Sequence, residues 1–213
     1  MRSAGSIHLL EDIPLTWDER ALLRTLRIPG LSQVSEIEEP TLRGDIRRAI
    51  EIGAPLAQAE ATARWVDLRP GVAPATVPQM FVGDSAARWL EGCERATLMV
   101  VTIGQPLVRQ VAALSDDEVT NAYHLDAVGS VLVEAAAVAV DRDVGNAIRR
   151  AGYEPTARRS PGYGDWPLTV QPLILQWCGA ERIGVRCTDD HYLEPSKSIT
   201  AVIGWRLRRQ ATP

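Results

Sequence analysis

A chain of 213 residues with 46% hydrophobic and 23% charged positions can bury one substantial core, which excludes a disordered or fibrous polypeptide. The formal net charge of −4 excludes a general nucleic-acid binder, which needs clustered Lys and Arg for phosphate contacts. Cys93, Cys178 and Cys187 are odd in number and widely spaced, so they make neither a disulfide framework nor a CxxC metal knuckle.

The N-terminal Met1-Arg2-Ser3-Ala4-Gly5 lacks the apolar core of a signal peptide, and no apolar run reads as long enough to span a bilayer. The expected location is therefore the reducing cytoplasm, with no membrane and no nucleic acid as partner. Arg206, Arg208 and Arg209 read as a solvated basic end.

In chain order, Ile7, Leu9, Ile13 and Leu15 alternate weakly and predict an opening strand. Asp18 predicts a helix cap, with Leu22, Leu23 and Leu26 as the apolar stripe of a helix through Leu26. A second helix is expected over 41–62, with Leu42, Ile46, Ala49, Ile50, Leu56 and Ala57 inward and a kink or break at Gly53 and Pro55. Strands are expected over 63–68 and 77–82, separated by a Pro/Gly/Ala loop over 69–76. The β-branched apolar run Ala96–Ile103 predicts a buried strand, ended by Gly104 and followed by a helix over 106–114. Ser115-Asp116-Asp117-Glu118 reads as a capping box opening a long helix to Arg150, with Gly152 just past its end. A short helix over 170–177, a strand over 182–187, a loop over 189–197 and a strand over 199–207 complete the chain. No regular βαβ rhythm is present, so the expected class is α+β with a mostly antiparallel sheet.

On the long helix Asp126, Ser130 and Glu134 stand at i, i+4 and i+8, within about an 80° arc of one face. Nearly every neighbour is apolar, and a helix apolar all round is normally buried. Carboxylates on such a helix need partners: a donor such as Arg158, backbone amides, or the hydroxyls and ammonium of a ligand. Both a structural ion pair and a ligand site remain open on this pattern. Ala127 and Gly129 suit either tight packing or a cleft.

The segment Ala157–Leu168 packs Arg158, Arg159, Pro161, Gly162, Tyr163, Gly164, Asp165, Trp166 and Pro167 into twelve positions. Ser160-Pro161-Gly162-Tyr163-Gly164 reads as a rigid, irregular loop. It is either an ordinary Pro/Gly turn with solvent-facing arginines or a loop gathering amides, a ring and a guanidinium around one small molecule. There is no GxGxxG or Walker loop, and the Gly83-Asp84-Ser85 segment lacks the strand–turn–helix context of a nucleophile elbow. His124 reads as a hydrogen-bonded core histidine, and Asp189-Asp190-His191 as a solvated loop in preference to a metal site.

Several segments converge on one family: Thr102-Ile103-Gly104, Leu125–Ser130 with Glu134, Arg158–Leu168, Ile183–Thr188, Pro195–Ile199 and Ile203-Gly204. Together they resemble the activation (S-adenosylmethionine-binding) domain of cobalamin-dependent methionine synthase, in its short free-standing form. The resemblance covers roughly residues 95–205. Residues 1–94 are accordingly expected to be an N-terminal helical and strand part of the same domain, and 95–213 the activation-domain core with the ligand motif. It implies a C-shaped single α+β domain with a twisted, mostly antiparallel sheet and flanking helices.

The resemblance also implies a ligand and its residues. An Arg-x-x-x-Gly-Tyr motif falls on Arg158, Gly162 and Tyr163, with Ser160 offering main-chain contacts and Glu134 facing the ligand from the helix. A guanidinium fork suits the methionyl carboxylate, and a carboxylate suits the ammonium or ribose. Gly164-Asp165-Trp166 departs from the Pro/Cys-containing stretch of the larger enzymes, with Asp165 as the new polar group.

The implied role is a reactivation component of a methyltransferase system, supporting reductive methylation of cob(II)alamin by positioning and without a base of its own. No Asp-x-His-x-x-Gly segment is present, so cobalamin is expected on a partner: a separate methionine synthase core or another corrinoid protein. An electron donor such as flavodoxin or ferredoxin is the further expected partner. Two alternatives stand beside this one: a non-enzymatic docking module for a corrinoid protein, and an accessory protein of another corrinoid methyltransferase system.

Overall fold

The computed structural model describes residues 5–70 and 77–208. Five antiparallel strands form the central sheet in the order β1-β2-β3-β7-β4: β1 His8–Leu10, β2 Glu60–Asp67, β3 Cys93–Thr102, β7 Ser198–Leu207 and β4 Tyr153–Pro155. A two-residue ribbon, β5 Arg186–Cys187 with β6 Leu193–Glu194, stands apart. The α+β class with an antiparallel sheet and flanking helices is as the sequence predicts. The 94/95 boundary falls inside β3, and β1 and β2 belong to the same sheet as β3 and β7.

The apolar run of β3 is explained by burial on both faces. Met99, Val101 and Ile103 meet a core built from α1 (Glu19–Thr25), α2 (Pro40–Leu56) and α6 (Val119–Arg150), with Leu107 of α5 (Gln105–Leu114). Ala96, Leu98 and Val100 face the opposite core, formed by α3 (Val77–Met80), α4 (Asp84–Trp89) and α7 (Gln171–Cys178) with Trp166. The period of two along a strand sends alternate residues to the two layers.

Several local signals act as read. Asp18 caps α1 by accepting the Ala21 amide at 2.7 Å. Alpha helix α6 runs to Arg150, and Gly152 follows at φ +88. Four expectations are corrected. Helix α2 stops at Leu56, and residues 60–62 pair with β3, because ladder partners and burial of Ala61 outweigh the helix propensity of the Ala/Gln/Glu stretch. The strand expected over 77–82 is one helical turn, which puts Val77 and Met80 on one buried face. Ser115 does not open α6: it ends α5, its hydroxyl donating to the Val111 carbonyl at 2.9 Å, and Glu118 precedes α6 without capping a backbone amide. The strand expected over 182–187 is cut by a 3-10 turn, Ala180–Ile183, leaving only Arg186–Cys187 extended. The loop expected over 69–76 lies mostly outside the described residues, as does Arg209. Arg208 is paired with Glu154 at 2.6 Å, so it is not simply solvated.

Helix α6 is the organising element, packing on α1, α2, α5 and the sheet. Against the sequence reading, its 32 residues are long and apolar enough by composition to cross a bilayer; two-thirds of its most apolar window (67%) is buried inside the fold. Gly129 shows why a small residue is needed: a Cβ there would lie 2.6 Å from Leu107 Cδ2 and 3.1 Å from Lys197 Cε. Gly129→Val will therefore lower stability by about 1–3 kcal/mol through overpacking, measurable as a drop in Tm without loss of helix content by circular dichroism.

Candidate functional site

The polar stripe on α6 is fully partnered, by one residue just before β7 and one from the loop that runs beside β7. Lys197, in the segment leading into β7, places its Nζ 2.8 Å from Asp126 Oδ1 and 2.9 Å from Ser130 Oγ. Arg158 Nη2 bonds Glu134 Oε1 two turns further along. Both cations are well covered, with 11% and 18% side-chain exposure, while Asp126 and Glu134 are half exposed at 51% and 54%. The buried carboxylates expected from the apolar helix are thus corrected to carboxylates at its edge. Asp141, about two turns beyond Glu134, is half-buried; burial pushes its carboxyl above the usual range, opposed by Arg158.

The Pro/Gly-rich loop is held rigidly. Residue Arg159 makes an isolated antiparallel bridge to Val202 of β7, with N···O distances of 3.0 and 2.7 Å. Upstream, Thr156 N donates to Gly204 O at 2.9 Å and Gly204 N to Thr156 Oγ1 at 2.8 Å. The loop thus continues the line of β4 along β7. Arg159 places its guanidinium over Trp89, 5.6 Å from the ring centroid. Beyond Ser160 the turn is closed by Gly162 at φ +91, whose N–H donates to Trp166 O at 2.7 Å. Trp166 is the anchor: it is 1% exposed, packs between Phe81 and Trp89, and donates its indole N–H to Met80 O at 2.8 Å.

A cleft of about 500 Å³ opens between this loop, α6 and the start of β7. Glu134, Arg158, Ser160 and Tyr163 all line it; Gly162 does not, because it sits in the turn behind. Residues that sequence reading did not assign complete the walls: Arg159, Pro161, Leu193, Ser198, Ile199 and Thr200. Pro195–Ile199 was the available signal for Ser198 and Ile199; Thr200 and Leu193 arrive only through the fold. Ser198 donates to Thr102 Oγ1 at 2.9 Å, and Thr200 to Gln171 Oε1 at 2.8 Å. Gln171 Nε2 in turn donates to His191 O at 2.8 Å, so the 189–192 loop is tied to the cleft floor. A second cleft of about 490 Å³ shares Glu134 and runs toward α1, past Trp17, Asp18 and Arg24.

Asp165 does not face the cleft. Its carboxylate accepts the amides of Asp84 and Ser85, each at 2.8 Å, and so serves as the anionic cap of α4. Hydrogen bonds from Ser85 and the two amides hold its pKa at about 2, below the ordinary 3.8. A lowered folded-state value contributes stability above about pH 4 that is lost as pH falls toward 2. Asp165→Asn will remove that contribution, so the difference in Tm between wild type and variant will shrink as pH is lowered from 5 to 2, as followed by thermal melts.

His124 is 5% exposed with an unpartnered Nδ1, correcting the hydrogen-bonded core histidine expected; burial pushes its pKa down. Cys178 is buried and its thiol pushed up to about 12, so it is inert as a nucleophile. Among the described residues no group of His, Cys, Asp and Glu is arranged to hold a metal ion.

No protein-family model matches this sequence. No curated protein matches it either. Among solved structures, the chain is similar to the crystal structure of the MetH reactivation domain bound to AdoHcy, with a TM-score of 0.65. That alignment covers 98% of this chain and 81% of that one at 12% identity, so it is a likeness of fold. The chain therefore has a reactivation-domain-like fold, with a partnered charge pair on the rim of its cleft.

Proposed function

We propose that this chain binds S-adenosylmethionine in the cleft beside Arg158 and acts as a reactivation component for reductive methylation of cob(II)alamin held on a separate B12-dependent methionine synthase core. The observation that carries this reading is the Glu134–Arg158 pair at the cleft wall. An amino-acid zwitterion brings a carboxylate for Arg158 and an ammonium for Glu134, replacing each partner by a group of the same charge. With Glu134 half exposed, the pair contributes only about 0–1 kcal/mol, so opening it for a ligand costs little.

The rest of the cleft fits the remainder of that ligand. Its volume lies within the roughly 300–1,000 Å³ of small-molecule sites. Pro161, Ile199, Leu193 and Tyr163 provide apolar surface for a purine, and Ser160 and Ser198 provide hydroxyls for ribose or ring nitrogens. Bound there, S-adenosylmethionine supplies an electrophilic sulfonium methyl. This chain's part is to hold the amino-acid end at Arg158 and Glu134 and the adenosine against the loop, which is catalysis by positioning. The free-standing form, the cytoplasmic setting and a flavodoxin- or ferredoxin-type electron donor belong to the same proposal.

Calorimetric titration of the purified chain with S-adenosylmethionine will give saturable binding of one molecule per chain. Heat that does not saturate, or unchanged affinity in a Glu134→Gln, Arg158→Ala double variant, would sink the assignment. A second reading is favoured by Tyr163 and Tyr192, each 65% exposed in the neighbourhood of the cleft. On that reading the face docks a corrinoid protein and Arg158 stays with Glu134; co-purification with such a protein and a flat titration would establish it.

A further inference from the structure

A further concavity lies elsewhere, between the sheet and the C-terminal half of α6. Strand β1 covers only Ala61–Ala63 of β2, so Arg64–Asp67 have no strand partner on that side. Where β1 stops, α6 and the sheet leave a cavity of about 580 Å³. One wall is aromatic: Trp65 and Trp205 stand with centroids 6.0 Å apart. Their orientation is held by the Trp205 indole N–H, which donates to Thr97 Oγ1 at 2.8 Å, and by Arg95, whose guanidinium lies 4.8 Å from the Trp65 centroid. The facing wall is the aliphatic side of α6, Val140, Val144 and Ala147.

The charges around it are unbalanced. Arg64 and Arg150 line the cavity, and among the described residues neither has a carboxylate within ion-pair distance. Arg64 instead lies over the Trp177 ring at 4.2 Å and donates to the Trp177 carbonyl at 3.2 Å. The one carboxylate in the lining, Asp143, is already near Arg142 at 3.8 Å. The result is a slot between rigid indoles and aliphatic side chains, with one guanidinium at its rim, that of the exposed Arg150, lacking an anionic partner, while the Arg64 guanidinium lies with α7 on the other face of the sheet.

We infer that this cavity is a second small-molecule site, for a small aromatic acid. A planar apolar body fits against Trp65 and Trp205, and offset stacking on indole adds to area burial. A single anionic group is recognised by Arg150, whose fork suits a carboxylate or sulfonate. The site is separate from the cleft at Arg158 and stands whether or not that cleft takes S-adenosylmethionine.

The probe is anilinonaphthalene sulfonate, an aromatic body with one anionic group. Added to the native chain, it will bind saturably at one molecule per chain, with blue-shifted emission and quenching of tryptophan fluorescence. Arg150→Glu, a change on an exposed residue, will weaken it by about tenfold, the loss of one charge-assisted contact. Ala147→Trp, which fills the slot, will weaken it at least as much. The neutral N-phenylnaphthylamine will bind more weakly and ignore Arg150→Glu. Saturating S-adenosylmethionine will leave probe binding unchanged. Non-saturating probe binding, indifference to Arg150→Glu, or displacement by S-adenosylmethionine would each overturn the proposal.

Discussion

Replacing Arg158 by alanine will lower the affinity for S-adenosylmethionine by about 100-fold, or roughly 2.7 kcal/mol. Two effects act in the same direction. The variant loses the guanidinium that pairs with the ligand carboxylate, and it leaves Glu134 without a partner, facing that carboxylate. Truncating one partner of a close charge pair at a binding site typically costs about 2–5 kcal/mol, which brackets this expectation. Arg158→Lys keeps the charge and loses the planar fork, and will recover only part of the affinity. The Tm of Arg158→Ala will change little, because its partner is half exposed and can be solvated. Titration calorimetry and a thermal melt on the same samples check both halves. Unchanged affinity in Arg158→Ala would move the ligand out of this cleft.

Trp166→Ala will be the most destabilising single change in the loop, at about 3–5 kcal/mol, the usual range for truncating a buried aromatic. The indole is 1% exposed, contacts Phe81 and Trp89, and satisfies the Met80 carbonyl. Removing it opens a cavity and strands a buried acceptor. The Gly162 N–H bond to the Trp166 carbonyl is made by backbone and survives, but the ring that pins that backbone is gone, so the turn that carries Ser160 and Tyr163 loosens. Denaturant unfolding will show the loss of stability. Trp166→Phe, which keeps most of the volume and drops the hydrogen bond, will lose about 1–3 kcal/mol. Stability unchanged in both variants would mean that the loop is not anchored through this ring.

Arg158, Lys197, Asp165 and Ser115 show what is and is not legible in the sequence. Arg158 and Glu134 are 24 residues apart, and the cost of an unpaired carboxylate on an apolar helix makes Arg158 one candidate partner beside backbone amides and a ligand; the fold selects it. Lys197 was not linked to Asp126, although the same argument applies. Lys197 is the only lysine in the chain, but nothing local says which carboxylate it meets, and only the return of β7 beside β3 brings it to α6. Asp165 was read as a polar group for the site. Its actual role as the cap of α4 depends on Gly83–Ser85 arriving from 80 residues away. The capping box at Ser115 failed for the opposite reason. A strong local signal was present, but α5 claims that serine for its own last turn.

By itself the sequence determined the class, the long apolar helix, the doubly buried strand β3 and the need of the helix carboxylates for partners, because periodicity and the cost of unpaired charge are local properties. The tertiary structure decided where α2 gives way to β2, why 77–80 is a helical turn, and which hydroxyls and rings enclose the two cavities. Those outcomes rest on pairing and packing between segments far apart in the chain. Their energies exceed local propensities of a few tenths of a kcal/mol per residue, so no window of sequence contains them.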